Sequence, residues 1–140
     1  HLSQAALDRL DLDQVWWMVS PQNPLKSIDG MAPFAERVAT ARKASVSEPR
    51  VVVSEIEREM GTRYTIDTLR QLRARFPEHR FVFLLGADNF IQLPQWHGWS
   101  AIFRTVPIAI FPRPSYSYRA LTGRAAKRFA RCCTRSASRW

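Results

Sequence analysis

Two residues that could contact a phosphate lie in a proline-stiffened segment after the first apolar run of this 140-residue chain. Asn23 offers both hydrogen-bond donors and an acceptor, and Lys26 offers a mobile positive charge suited to a phosphate. The alternative is an ordinary turn with a surface lysine, which the pattern by itself favours.

A glycine and an aspartate follow the most apolar run of the chain, the segment RFVFLL at 80–85. Glycine at position 86 permits close approach of the backbone to a ligand. Asp88 could accept hydrogen bonds from a ribose or help to hold Mg²⁺ through water. Asp88 also suits the N-cap of a helix, and the two roles are compatible.

Two further segments could recognise a flat, acidic ligand. Thr65 stands at the predicted start of a helix, where free backbone N–H groups attract a carboxylate or a phosphate, although simple capping is the alternative. Trp96 and His97 precede a glycine in a predicted loop, so the indole could stack on an aromatic ring or anchor the loop to the body. A histidine such as His97, taken alone, is more often structural than catalytic.

The elements that must position these residues alternate along the chain. Periodicity predicts helices at 3–10, 32–45, 65–76 and 119–130, and strands at 14–19, 50–54, 80–85 and 106–111. Strands separated by helices predict an α/β fold with a parallel sheet and right-handed crossovers. The carboxyl ends of such strands share one edge, where ligands bind, so segments distant in sequence are expected to meet there.

Composition and charge limit the classes of function. The chain is 46% hydrophobic and 24% charged, which is ordinary for a globular protein, and no apolar run approaches the roughly 20 residues of a membrane span. Of 21 basic residues, 8 lie in 113–140 with no acid, which leaves 13 against 12 acids in 1–112. The nearly neutral body argues against nucleic acid as its partner, although the basic tail could bind polyanions without specificity. Cys132 and Cys133 are adjacent, which is neither a disulfide framework nor a metal spacing, and a cytoplasmic location is predicted.

Four segments, in this order, resemble the bacterial nicotinate-mononucleotide adenylyltransferase family: VSPQNPLK at 19–26, GTRYTIDTLRQL at 61–72, FLLGADNFIQLPQWHGWSAIF at 83–103 and FPRPSY at 111–116. The resemblance spans roughly residues 1–130. It implies a Rossmann-like parallel sheet of the nucleotidyltransferase type, with helices on both faces and the first strand missing. It also implies transfer of AMP from ATP to nicotinate mononucleotide with Mg²⁺, giving nicotinate adenine dinucleotide and pyrophosphate in NAD biosynthesis.

The resemblance also implies roles for individual residues. Trp96 matches the tryptophan that stacks on the pyridine ring, and the backbone N–H groups of Thr65 and His97 match those that hold the pyridine carboxylate. An amide in place of that carboxylate would present an NH₂ group to the same donors, so the arrangement selects the acid.

On the phosphate side, Gly86 and Asp88 match the nucleotide-contacting turn of the family. Asn23 and Lys26 match the substrate loop beside the phosphates. No residue of this chain matches the family's His-x-Gly-His motif, whose histidines stabilise the triphosphate, so no catalytic residue is assigned.

The ends of the chain depart from the family pattern. His1 falls by register about two residues beyond the His-x-Gly-His motif, and the tail at 131–140 lacks the spacing of the late Ser-Ser/Thr-x-x-Ile-Arg motif. We therefore expect residues 1–112 to form an incomplete nucleotidyltransferase core. Residues 113–140 are expected to form a basic C-terminal helix and tail of the same domain, truncated or frame-shifted. The chain as written is expected to be poorly stable and inactive.

Two alternatives stay open. One is a nucleotidyltransferase of the same fold that acts on a different phosphorylated acceptor. The other is a non-catalytic remnant that binds a nucleotide, or RNA through the basic tail. The sequence does not determine the oligomeric state.

Overall fold

A computed structural model describes residues 2–21, 30–113 and 116–132 of the chain. The chain divides into two compact units, His1–Thr68 and Leu69–Trp140, and each is described by itself. Among the described residues, no helix is both long and apolar enough to cross a membrane.

The first unit is built on two parallel strands joined by a helix. Its elements are α1 (Leu2–Arg9), β1 (Val15–Met18), α2 (Phe34–Ser45), β2 (Val51–Ser54) and α3 (Ile56–Met60). Strands β1 and β2 pair in parallel, from Val15 opposite Val51 to Met18 opposite Ser54. Parallel strands need a long crossover, and α2 lies within it. Buried apolar side chains of this unit form its core: Ala6, Leu7, Val15, Val38, Val51, Ile56 and Ile66.

Helix α4 (Thr65–Arg75) begins in the first unit and ends in the second. The carbonyl of Tyr64 accepts the backbone N–H of Thr68 at 3.1 Å, which is the first hydrogen bond of the helix. Thr65 is therefore the first helical residue, and not the cap that the sequence offered as its alternative role.

The second unit repeats the arrangement of parallel strands and helices. It contains β3 (Phe83–Gly86), α5 (Ala87–Gln92), a 3₁₀ turn (Leu93–Gln95), α6 (Trp99–Thr105), β4 (Ile108–Phe111), α7 (Ser117–Thr122) and α8 (Arg124–Arg128). Strands β3 and β4 pair in parallel, from Phe83 opposite Ile108 to Gly86 opposite Phe111. These pairs and helices confirm the predicted α/β class with parallel strands.

Several element boundaries differ from the sequence prediction. The strand expected from residue 80 begins only at Phe83, because the chain first makes a turn after α4 in which the N–H of His79 bonds to the carbonyl of Phe76 at 3.1 Å. The single C-terminal helix expected at 119–130 is two helices, since Gly123 is extended (φ −70°, ψ 170°) between them. The short helices α3, α5 and α6 were not predicted, because five to seven residues hold too few turns to show a helical period.

An aromatic cluster fixes the last part of the second unit. The rings of Phe103 and Phe129 stack with their centroids 3.7 Å apart, and Trp99 meets both edge-on at 6.2 and 5.9 Å. The guanidinium groups of Arg124 and Arg128 lie over Trp99 at 5.9 and 5.8 Å, a cation–π geometry. Part of the positive charge of the C-terminal segment thus takes part in packing.

Glu57 lies at the centre of a polar cluster in the first unit. Its carboxylate accepts a hydrogen bond from the hydroxyl of Thr68 at 3.5 Å, and the side chain of Ser20 also bonds to it. The hydroxyls of Thr62 and Thr68 are 2.7 Å apart. Burial raises the pKa of Glu57, while the bonds from Ser20 and Thr68 lower it and offset part of that effect.

We expect Leu93→Ala to lower the free energy of unfolding by about 2–5 kcal/mol, because Leu93 is 0% exposed and its loss leaves a cavity. Leu121→Ala is the matched control in the same unit, since Leu121 is 74% exposed, and we expect a change within about 0.5 kcal/mol. Urea unfolding followed by circular dichroism measures both. Equal losses in the two variants would contradict the assignment of this core.

We expect Glu57→Gln to stabilise the protein near pH 7, because a buried carboxylate loses its charge in the variant while keeping an acceptor for Ser20 and Thr68. Folding raises the pKa of this carboxyl from about 4.5. As pH rises, the unfolded chain therefore loses this proton before the folded protein does. The free energy of unfolding falls as a result, until the pH has passed the pKa of the folded state. Urea unfolding near pH 7 and near pH 4 checks this prediction.

The advantage of the glutamine variant should shrink near pH 4, where the carboxyl is protonated in the folded state and mostly protonated in the unfolded state. Glu59→Gln, on the exposed side of the same helix, is the control and should change stability little at either pH. A glutamine variant that is equally destabilised at both pH values would show that burial of the charge is not the dominant effect.

Candidate functional site

The turn that leaves β3 holds two of the predicted site residues. Gly86 is the last residue of β3 and the N-cap of α5, with an extended backbone (φ −74°, ψ 152°). Asp88 lies in the first turn of α5, so the helix cap that the sequence offered as its alternative role belongs to Gly86. Aspartate in the first turn still suits the helix dipole.

The parallel register brings an arginine from the next strand to this turn. Gly86 stands opposite Phe111, so Arg113, two residues beyond Phe111, reaches the carboxylate of Asp88, with Nε 3.7 Å from Oδ1. The Asp88 side chain is 34% exposed and the Arg113 side chain 55%. A distance of 3.7 Å is an ion pair but too long for a hydrogen bond. The interaction is therefore loose enough to rearrange.

One carboxylate oxygen of Asp88 can still accept a hydrogen bond. Oδ1 is shielded from solvent and, among the described residues, accepts no hydrogen bond. A buried oxygen without a donor is costly, by about 1–3 kcal/mol, and such cases concentrate where a ligand or an ion supplies the donor. A sugar hydroxyl or a metal-bound water could satisfy this atom.

Gly86 makes room for this pair. A Cβ built on Gly86 would collide with Oδ1 of Asp88 and would lie 3.1 Å from Nε of Arg113. Any side chain at position 86 would thus displace the carboxylate. The close approach of a ligand to this glycine, which the sequence predicts, stays a prediction.

Trp96 and His97 form a turn between the 3₁₀ segment and α6, as the sequence predicted. The N–H of Trp96 bonds to the carbonyl of Leu93 at 3.0 Å, and Gly98 has a left-handed backbone (φ 62°) that begins α6. His97 is exposed and Trp96 is half-buried. The Trp96 indole meets the ring of Phe83 edge-on, with centroids 6.4 Å apart.

The structure brings some of the predicted site residues together and not others. Phe83 begins the strand that Gly86 ends, and four strand residues separate these ends by about 10 Å, so the contact of Trp96 is with the opposite end of β3 from Asp88. Thr65 belongs to the first unit, and its joint action with Trp96 and His97 stays a prediction. Asn23 and Lys26 lie outside the described residues.

The described residues do not form a complete metal-binding site by themselves. No three His, Cys, Asp or Glu side chains in the described part of the chain converge on one point. Mg²⁺ commonly binds through one or two carboxylates, several waters and the phosphates of a substrate. Asp88, with its unsatisfied Oδ1, fits the role of a single carboxylate in such a set.

Two arginines near the strand ends were missed as site residues in the sequence analysis. Arg113 stands in the FPRPSY segment, but its pairing with Asp88 depends on the strand register, which the sequence does not show. Arg37 on α2 donates hydrogen bonds to the carbonyls of Ser20 and Pro21, where β1 leads into the segment that carries Asn23 and Lys26. An arginine on a helix is ordinarily solvated, so no pattern singled it out.

We expect Gly86→Ala to destabilise the protein by no more than about 1 kcal/mol, because its methyl group meets only the part-exposed side chains of Asp88 and Arg113, which can move aside. Adding Asp88→Ala should recover part of that loss, since the colliding oxygen is gone. A double-mutant cycle from urea unfolding measures this coupling. Strictly additive effects of the two substitutions would mean that another group opposes a side chain at position 86.

Comparison with known proteins adds the family context. A Parvibaculum lavamentivorans protein is 55% identical over 126 residues, which are 90% of this chain and 62% of that protein. Proteins of Cereibacter sphaeroides and Gluconacetobacter diazotrophicus are each 50% identical over 131 residues, which are 94% of this chain and 70% and 60% of those proteins. All three are named probable nicotinate-nucleotide adenylyltransferase, and the chain spans roughly three-fifths to two-thirds of their length.

A family model supports the same relationship over nearly the whole chain. The model for cytidylyltransferase-like proteins matches residues 1–136, a range that includes the parallel strand pairs and the turn at Gly86 and Asp88. The protein therefore belongs to the cytidylyltransferase-like family.

Proposed function

We propose that this protein acts in adenylyl transfer from ATP to nicotinate mononucleotide. The observation that carries the proposal is the identity of half or more of the aligned residues with three proteins named probable nicotinate-nucleotide adenylyltransferase. In the proposed reaction, a phosphate oxygen of the mononucleotide attacks the α-phosphorus of ATP. The bond from that phosphorus to the β-phosphate oxygen breaks, and pyrophosphate leaves as nicotinate adenine dinucleotide forms.

The protein's part in such a reaction is to align two anions and reduce their repulsion, because the attacking phosphate is supplied by the substrate. No protein nucleophile takes part. The proposal therefore depends on binding contacts, which can be assigned to named residues of this chain.

The acceptor is proposed to bind through its pyridine acid. Trp96 stacks on the ring, and the backbone N–H groups of Thr65 and His97 donate to the carboxylate. Two observations support these roles: Thr65 is the first residue of α4, where an N–H has no acceptor within the helix, and His97 is exposed in its turn. Donors facing a carboxylate reject an amide, because its NH₂ group has no acceptor to meet.

The nucleotide is proposed to bind at the turn that follows β3. Oδ1 of Asp88 would accept from a ribose hydroxyl or from a water on Mg²⁺, and the lack of a side chain at Gly86 leaves space for that oxygen. Asn23 and Lys26 contact the phosphates in this proposal. When bound with ATP, Mg²⁺ would neutralise charge on the phosphates, and Asp88 is the described residue that suits it. A cytoplasmic location, where ATP is plentiful, fits this role.

We expect nicotinate mononucleotide to bind at least about tenfold more tightly than nicotinamide mononucleotide, since the amide leaves a donor facing a donor. Isothermal titration calorimetry of the full chain with both ligands measures this directly. Trp96→Ala should weaken binding of the acid by roughly tenfold through the loss of stacking.

Trp16→Ala is the control for the loss of an indole, because Trp16 lies on β1 and its Nε1 donates to Gln14 at 3.2 Å. Its affinity for the mononucleotide should match that of the parent chain. Equal affinity for acid and amide would contradict the proposed acceptor, and tighter binding of another phosphorylated molecule in a panel would favour a different acceptor.

A further inference from the structure

Charge is distributed unevenly between the two units of the chain. The first unit, His1–Thr68, holds 8 basic and 10 acidic residues, and the second unit, Leu69–Trp140, holds 13 basic and 2 acidic residues. Their formal net charges are therefore −2 and +11. No acidic residue follows Asp88 in the sequence. The near neutrality of residues 1–112 thus conceals a strongly basic second unit.

Four of these cations form a row along α8 and the 3₁₀ turn that follows it. Arg124, Lys127 and Arg128 are spaced three and four residues apart, which places them on one side of α8. Arg131, in the 3₁₀ turn, continues that side, and all four residues are exposed. Seven residues of helix extend about 10 Å. These four residues are called the basic row below.

The other side of the same segment is used for packing. Ala125 is buried, and the ring of Phe129 stacks on that of Phe103 with centroids 3.7 Å apart. Two guanidinium groups of the basic row lie over the Trp99 ring, at 5.9 and 5.8 Å, and such a contact orients the guanidinium plane. In the described structure, α8 exposes no large apolar side chain that could insert into a membrane. The row is therefore held by the fold and presents charge rather than apolar surface.

No carboxylate balances the charge of the basic row. Within the described ranges of the chain, none of its four side chains takes part in an ion pair. Like charges three or four residues apart on a helix repel each other and destabilise it. A bound polyanion would relieve this repulsion, so the row gains more from an anionic partner than a row of alternating charges would.

The composition and length of the basic row suit a chain of phosphates. Three of its four residues are arginines, whose planar guanidinium groups can bind phosphate through two parallel hydrogen bonds. A nucleic-acid strand carries one phosphate per about 3.4 Å of helix axis, so a row of about 10 Å meets roughly three phosphates.

An exposed aromatic ring lies on the helix that packs against α8. Tyr116, the N-cap of α7, is 44% exposed and precedes the exposed Arg119 by three residues. Proteins that bind single strands combine cations along the backbone with aromatic rings on which unpaired bases stack. A duplex keeps its bases paired and offers none to such a ring. The surface therefore favours a single strand.

We propose that the basic row is a binding surface for the phosphate backbone of a single-stranded nucleic acid. This activity is separate from the proposed adenylyl transfer and does not rest on it. The row contacts phosphates, which carry no sequence information, so binding is independent of base sequence. Binding weakens as salt rises, because the bound strand releases its counterions.

Fluorescence anisotropy of the full chain with a labelled polyuridylate oligonucleotide tests the proposal across a range of salt concentrations. We expect the logarithm of the binding constant to fall against the logarithm of salt with a slope of about −2, from roughly three phosphates at about −0.7 each. The double variant Lys127→Gln, Arg131→Gln should reduce the magnitude of that slope by about 1 and weaken binding at low salt by roughly tenfold.

The matched control removes the same charge from the first unit. Arg9 and Lys43 are exposed residues of α1 and α2, again one arginine and one lysine. The double variant Arg9→Gln, Lys43→Gln should keep the slope and the affinity of the parent chain. Equal losses in the two double variants would overturn the assignment to the basic row, because net charge alone would then explain binding. Absent binding at low salt, or an affinity independent of salt, would also overturn it.

Two further ligands test the choice of partner at equal concentrations of phosphate. Duplex RNA and vesicles that contain phosphatidylglycerol should both bind more weakly than the single strand, and tighter binding of either would overturn the proposed partner. Circular dichroism checks that the variants are folded. If the double variant in α8 loses the parent spectrum, Lys127→Gln alone decides, since a loss of roughly threefold in affinity supports the basic row and unchanged affinity overturns it.

Discussion

Parallel strand pairing is the constraint on which the site of this protein depends. In a parallel pair the two strands end at the same edge of the sheet, so the turns after β3 and β4 must be neighbours. The register of Gly86 opposite Phe111 then brings Arg113 to within 3.7 Å of the Asp88 carboxylate. The same geometry places Ser20 just beyond the end of β1, beside the end of β2, where Glu57 can reach it. In each unit, a polar cluster follows from two strands that end together.

The two polar clusters each lower the stability of the folded protein. Oδ1 of Asp88 is shielded and accepts no hydrogen bond among the described residues, and burial raises the pKa of Glu57. Both arrangements cost folding free energy, because a buried polar group or charge loses its hydration. A ligand that supplied a donor to Oδ1 would offset the cost at Asp88 and would thereby gain binding free energy. Glu57 is different, since Ser20 and Thr68 already bond to it, and its carboxylate fixes the exit of β1.

The sequence could predict the order of elements but not the partnerships between their side chains. The apolar runs that became β1 to β4 and the helical periods of α2 and α4 are local signals, and the turn at Trp96 was predicted as found. Short helices such as α5 lack a measurable period, which is why Asp88 was offered as a cap and lies inside the helix. The ion pair of Asp88 with Arg113 and the bonds of Arg37 to Ser20 depend on register and crossover geometry. No spacing along the chain encodes them.

Arg113 in the second unit and Arg37 in the first unit differ in the net charge that each leaves around itself. Arg113 faces Asp88, so the pair at the β3 turn is nearly neutral and contributes little net attraction to a polyphosphate. Arg37 instead donates to three neutral carbonyls and keeps its positive charge just beyond the end of β1. Neutral carbonyls orient a guanidinium without cancelling its field. Within the second unit, the neutralised Asp88 carboxylate is therefore better suited to hydroxyl or water donors than to a phosphate. A carboxylate paired with an arginine suits such donors, because the arginine balances its charge while lone pairs on its oxygens can still accept hydrogen bonds.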